Sequence, residues 1–275
     1  KRYEVIFIFF YDTFKYVRLE FDEAESLADI QLMLAPHLRG KGLYWQGGEI
    51  AFNLRDGFSN SQDDSVLNGI NFHDNGGWGP GPGADINDED IRRNNRNKSI
   101  INCTFRNSWI NISIIGAENV YIANNTFLPN TKDLTAAPTQ SFHTGISVPL
   151  GYNVRIVGNT SYDRENTFGK GCNLTGNRWI GGLFTAMANG GQSIGDDFIN
   201  VYFKGGADSD SGNRLGYPFL ITKAEIHYNM QLGTRYLIND PENKLAFDDN
   251  RWRFNSIRDL NATTTSYEHI FFGDN

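Results

Sequence analysis

The feature that most restricts what this chain can fold into is an internal repeat. Lys98-Ser-Ile-Ile-Asn-Cys-Thr-Phe105 aligns with Val120-Tyr-Ile-Ala-Asn-Asn-Thr-Phe127 at an offset of 22 residues, with Asn102 set on Asn124. Val154-Arg-Ile-Val-Gly-Asn-Thr-Ser161 repeats the pattern with Asn159 on Asn125, an offset of 34, and Leu174-Thr-Gly-Asn-Arg-Trp179 puts Asn177 on Asn159 at an offset of 18. Each copy is a short alternating apolar strand, a Gly/Asn-rich corner, and an aromatic or small residue that opens the next strand. A unit of about twenty residues cannot bury its apolar side alone, so it must stack on a copy of itself. The spacing therefore predicts an all-β fold, a single-stranded parallel β-helix. Asn at the corners fits it, because Asn tolerates left-handed backbone and its amide can bond to the Asn of the next coil.

Composition agrees. The 275 residues include 29 Gly, and 39% are hydrophobic against 21% charged, enough apolar material for one core and too much for a disordered chain. A net charge of −7 excludes a phosphate-neutralising surface, so no nucleic-acid partner is expected. No apolar run approaches the ~20 residues of a membrane helix, so no membrane partner is expected either. Cys103 and Cys172 are too few for a disulfide framework and match no metal spacing, which leaves two buried thiols as the simplest expectation. The several Asn-x-Ser/Thr triplets arise by chance in an Asn-rich and Thr-rich strand protein. A chain that starts at Lys1 is expected to have lost a start methionine, a leader or a larger parent chain.

Along the chain, Asp22 to Arg39 carries Leu27, Ile30, Leu32 and Leu34 at helical spacing, with acidic residues early, His37 and Arg39 late, and Gly40 beyond. This predicts an amino-terminal helix capping the open end of the stack. Gly42 to Phe52 reads as a strand pair. The offset of 34 is one coil plus an insertion, for which Pro129 to Gln140 is the expected loop. Residues 1–204 are read as the capped β-helix, and residues 205–275 as irregular carboxy-terminal coils or a cap, with strands expected at Phe219–Tyr228 and Tyr236–Ile238.

Ala28-Asp-Ile-Gln-Leu-Met-Leu34, then Gly42-Leu-Tyr-Trp-Gln-Gly-Gly-Glu-Ile-Ala-Phe52, with the Asn-rich repeats, resembles the amino-terminal helix and first coils of the pectate-lyase-like right-handed β-helix superfamily. That superfamily holds polygalacturonase-like hydrolases, polysaccharide lyases and phage tailspike depolymerases. The resemblance spans roughly Asp22 to Phe203. It implies a right-handed coil, a polysaccharide substrate and an extracellular, periplasmic or virion-associated location, and for tailspike-like members a homotrimer.

The sharpest candidate for chemistry is Gly195-Asp-Asp-Phe-Ile-Asn200. Adjacent carboxylates at a strand entrance cannot both point inward. Asp196 and Asp197 match the Gly-Asp-Asp motif of the polygalacturonase-like hydrolases, and glycoside hydrolysis needs one carboxylic acid and one carboxylate. The competing assignment is an Asp pair that caps a strand. Ser141-Phe-His-Thr-Gly-Ile-Ser-Val148 is similar to a His-containing motif of those enzymes, making His143 a substrate-groove candidate, although Thr144 interrupts the motif, the family's His follows the Asp pair, and no Arg-Ile-Lys run lies downstream. Asp163 and Arg164 offer a further carboxylate and cation, and Trp179 and Trp109, like Trp78, could stack on sugar rings. The expected function is a polysaccharide-degrading enzyme, foremost a glycoside hydrolase with no cofactor. A lyase, which would need a Lys or Arg base and commonly Ca2+, is one alternative. A non-catalytic glycan-binding tailspike or adhesin is the other.

Overall fold

The computed structural model describes residues 3–7, 17–21, 44–53, 56–59, 63–75, 84–88, 95–131, 143–187, 191–206, 219–227, 230–232, 245–253 and 257–259. The described chain is all strand and turn, and from Tyr44 onward its strands pair in parallel. Those strands recur in a cycle of three faces, with short extra strands at Asn95–Arg96 and Ala117–Glu118 between the third face and the next first face. A first-face strand such as Ser99–Ile101 leads to a second-face strand such as Thr104–Arg106, then to a third-face strand such as Ile110–Ile114, and the cycle begins again at Tyr121–Ala123. Each strand pairs in parallel with its counterpart one round away. Second-face strands build a nine-stranded sheet from Glu49–Ala51 to Arg251–Arg253, and the other two faces share an eighteen-stranded one. The arrangement is that of stacked rounds, compatible with a β-helix.

The repeat offsets are the observed registers. Ile100 pairs with Ile122, Ile122 with Ile156, and Thr160 with Arg178, so rounds of 22, 34 and 18 residues all stack in phase. What keeps the phase is the corner between the first and second faces. It is two residues long in all nine described rounds: 47–48, 69–70, 102–103, 124–125, 158–159, 176–177, 195–196, 223–224 and 249–250. Its first residue always has a positive φ, from 48° at Asp249 to 72° at Gly47. Gly, Asn and Asp fill most of these positions because they adopt left-handed backbone at least cost. That single left-handed step turns the next side chain into the interior. There Asn125, Asn159 and Asn177 form a buried ladder, each amide oxygen accepting from the backbone N–H of the preceding round's ladder position (2.8, 3.0 and 2.9 Å). Each Nδ2 in turn donates to a carbonyl of the preceding round, Ile100, Ile122 and Ile156. Buried amides are tolerable only when so satisfied.

Apolar side chains repeat in columns inside the stack. Phe72, Phe105 and Phe127 stack nearly parallel at 5.1 and 4.8 Å along the second face, followed further on by Trp179 and Phe198. Cys103 and Cys172 are free and buried, their thiols pushed up to about 11 and about 12 by burial.

Two expectations are adjusted. Gly42–Phe52 does hold two strands, Tyr44–Gln46 and Glu49–Ala51, but each pairs with the following round and not with the other, because they belong to different faces. Beyond Lys204 the rounds continue: Phe219–Thr222, Glu225–His227 and Met230–Leu232 form one, and Leu245–Asp248, Arg251–Arg253 and Ile257–Asp259 another. The strands expected over Phe219–Tyr228 are present as Phe219–Thr222 and Glu225–His227, but their place in the repeat escaped sequence reading because Lys223 and Asp249 hold the left-handed corner in place of Gly or Asn. Before the stack, Tyr3–Phe7 and Val17–Phe21 form an antiparallel pair. The helix expected over Asp22–Arg39, most of the Pro129–Gln140 insertion and Tyr236–Ile238 lie outside the described residues. Among the described residues no helix is long and apolar enough to cross a membrane.

Candidate functional site

The structure separates the Asp pair. Gly195, at φ 68°, makes the left-handed step, so Asp196 turns inward to the ladder position, while Asp197 opens the strand Asp197–Ile199 and faces outward. Asp196 is 1% exposed and surrounded by donors. Its Oδ1 accepts from the N–H and Nδ2 of Asn177 (2.8 and 3.1 Å), and its Oδ2 from Trp179 Nε1 (3.1 Å) and Ser193 Oγ (2.8 Å). Burial pushes its carboxyl up to about 6, against the pull of those donors. Asp196 continues the Asn ladder and does not share a reacting bond with Asp197.

The other expected residues divide in the same way. Trp179 lies inside the stack, 1% exposed against Phe168 and Phe184, so its ring offers no face to a sugar. Trp109 is 6% exposed and stands edge-on to the His143 ring at 5.0 Å. At the corner between second and third faces, Asp163 takes the left-handed position, at φ 49°, and stays exposed, while Arg164 turns inward. The Arg164 guanidinium donates to the Leu128 carbonyl at 2.7 Å and to Asn130 Oδ1, and burial lowers it to about 10. Close by, buried Asp85 accepts from Asn75 Nδ2, Ser108 Oγ and Asn111 Nδ2 at 2.7 to 2.8 Å, and burial pushes it up to about 7. His143 pairs in register with Arg164, and burial together with that cation lowers its pKa. Asp163, Arg164, His143 and Trp109 therefore gather at one corner. Arg164, like Trp179, is corrected from substrate contact to internal support, because an inward side chain wrapped by backbone cannot meet a polymer.

Outward on the second face lies a cluster that sequence reading missed. Arg178, Asp197, Glu225 and Arg251 hold successive register positions on four adjacent strands. Arg178 Nε is 3.3 Å from Asp197 Oδ2, and Arg251 Nη1 is 3.6 Å from Glu225 Oε1. Between the two carboxylates sits His227, with Nε2 3.4 Å from Asp197 Oδ1 and 3.2 Å from Glu225 Oε2. All are partly exposed, so each pair adds well under about 1 kcal/mol to stability. The signal was present as Glu225-Ile-His227, but the segment 207–218 lengthens that round and hides its phase with Asp197. Toward the other end of the same face, His73 stands between Glu49 Oε1 (3.0 Å) and Asp74 Oδ2 (2.7 Å), with Phe52 edge-on at 5.3 Å. Among the described residues no three His, Cys, Asp or Glu side chains converge as a metal site.

Fold and site together define a class: an all-β protein of stacked parallel rounds carrying an acid–imidazole–cation cluster on one outer face. Beyond that class, the chain matches no protein-family model and no curated protein.

Proposed function

We propose that the protein is a right-handed parallel β-helix, capped at its amino end by a helix over Asp22–Arg39, that hydrolyses a polysaccharide outside the cell or on a virion, with Asp197 and Glu225 as its paired carboxyl groups. The observation that carries this reading is the register of those two residues, opposite each other on adjacent strands, with His227 Nε2 hydrogen-bonded to Glu225 Oε2 at 3.2 Å and standing 3.4 Å from Asp197 Oδ1. Neighbouring strands are about 4.8 Å apart, close to the roughly 5 Å between carboxyl groups that double-displacement glycoside hydrolysis requires. Asp197, held by Arg178, is the carboxylate that attacks the anomeric carbon. Glu225, one methylene longer, protonates the leaving oxygen and then takes a proton from the water that breaks the bond between Asp197 and the sugar, and His227 orients Glu225. The partial resemblance in sequence supports the substrate class.

The test is digestion of a polysaccharide panel by the protein and by Asp197→Asn and Glu225→Gln. Each variant is expected to lose about 100-fold or more in cleavage rate, with melting temperature little changed because partly exposed ion pairs add little to stability. The released end is expected to retain its anomeric configuration by NMR. Cleavage unchanged in both variants ends the hydrolase reading. New ultraviolet absorbance in the digest would replace it with a lyase, and binding without cleavage with an adhesin.

A further inference from the structure

The corner that holds Asp163 and Arg164 contains a buried charge with no opposite charge in contact. Arg164 is 1% exposed, and its pKa, lowered by burial to about 10, still leaves the guanidinium charged at neutral pH. Among the described residues, every acceptor it bonds is uncharged: the Leu128 carbonyl at 2.7 Å, Asn130 Oδ1, and the Ser108 carbonyl at 3.5 Å. Asp85 and Asp163 act on it through space, and the oxygens of Asp85 are occupied by Asn75, Ser108 and Asn111. A charge withdrawn from water is costly unless an opposite charge meets it.

The same corner gathers hydrogen-bonding atoms that lack partners. Among the described residues six buried side-chain N or O atoms have none, and four of them belong here: Arg164 Nε, Asn130 Nδ2, His143 Nδ1 and Asn111 Oδ1. Native interiors leave few such atoms, so four in one place call for an explanation. Backbone register brings them together. Asn130 touches the guanidinium through its Oδ1, and His143 holds the position opposite Arg164 on the adjacent strand. Asn111 falls opposite Gly145, between the pairs Ile110–Thr144 and Ile112–Ile146, and so meets no side chain from the next round. A Cβ at Gly145 would stand 2.5 Å from Asn166 Oδ1 and 3.0 Å from Arg164 Cβ, so the bare backbone there is what lets the Arg164 stem pass.

We propose that this corner binds a small monovalent anion, of halide size, against the Arg164 guanidinium. The Arg Nε and the amide Nδ2 can only donate, and a neutral imidazole can carry its proton on Nδ1. Burial and the adjacent cation favour that neutral form in His143. Three donors against one acceptor, Asn111 Oδ1, suit an occupant that only accepts. Water would satisfy the donors and leave the charge unmatched. Asn130 and His143 are half-buried, so a small ion can pass between them, whereas a polymer cannot reach a guanidinium wrapped by backbone. Ser108, Leu128 and Arg164 lie on three successive rounds, so the ion ties those rounds together. The site is inside the stack and independent of the outward Asp197 and Glu225.

The experiment is thermal melting in sodium chloride or bromide against sodium gluconate at equal ionic strength, gluconate being too large to enter. The melting temperature of the parent is expected to rise saturably with chloride, by roughly 3 °C at about ten times Kd. Asn130→Asp sets a carboxylate against the guanidinium and so supplies the opposite charge from the chain itself. It is expected to melt no lower than the parent in gluconate and to lose the chloride response. Arg164→Met, which removes the charge and keeps the stem, is expected to lose the response too; if it does not fold, Asn130→Asp carries the comparison. Chlorine-35 NMR reads binding directly, with the chloride line broadened by the parent and not by Asn130→Asp. A parent that melts alike in chloride and gluconate, as it would with water alone at the corner, overturns the proposal, and so does a chloride response or line broadening that survives in Asn130→Asp.

Discussion

Asp196 is a carboxyl placed where the three preceding rounds have an amide, Asn125, Asn159 and Asn177, and its surroundings set how stability answers to pH. Its folded-state pKa, raised to about 6 by burial, lies above the ordinary 3.8. The folded state therefore prefers the protonated acid. The stability linked to this group is complete below about pH 4 and is lost as pH rises through about 6, amounting to roughly 3 kcal/mol. Asp196→Asn is neutral at every pH, and its Oδ1 can still accept from Asn177. Denaturant titrations from pH 4 to 7.5 are expected to show a smaller fall in stability for the variant than for the parent, and equal falls would refute the assignment. The sequence showed that one Asp of the pair must face outward. It did not show which, because adjacency in the chain says nothing about side-chain direction until the left-handed step at Gly195 is known. The same step hid the inward turn of Arg164 after Asp163.

Among elements, the second-face strands depend most on their neighbours. Phe105 sits between Phe72 and Phe127, fully buried, so Phe105→Ala empties the middle of a stack and is expected to cost about 3–5 kcal/mol. Chemical denaturation measures this directly, and a loss under 1 kcal/mol would mean that the column collapses around the gap. These strands were legible in sequence wherever corner and strand both followed the pattern, as at Asn102, Asn124, Asn159 and Asn177. Legibility failed where only the strand did. Glu225–His227 and Arg251–Arg253 follow corners led by Lys223 and Asp249, and with them went the register that sets Asp197 against Glu225.

For the molecule as a whole, nearest-neighbour stacking makes rounds separable. Deleting residues 177–195, the interval between ladder positions Asn177 and Asp196, joins Gly176 to Asp196 and restores a two-residue corner. Such a chain is expected to keep its strand circular dichroism and a cooperative melt. Deleting only 177–186, about half a round, is expected to abolish both, and equal behaviour of the two deletions would count against stacking by rounds. The unchanging corner thus acts as a length standard. Chain added elsewhere in a round alters what is displayed at a given height but not the height itself, so the outer surface can diverge in chemistry while its spacing along the axis stays fixed.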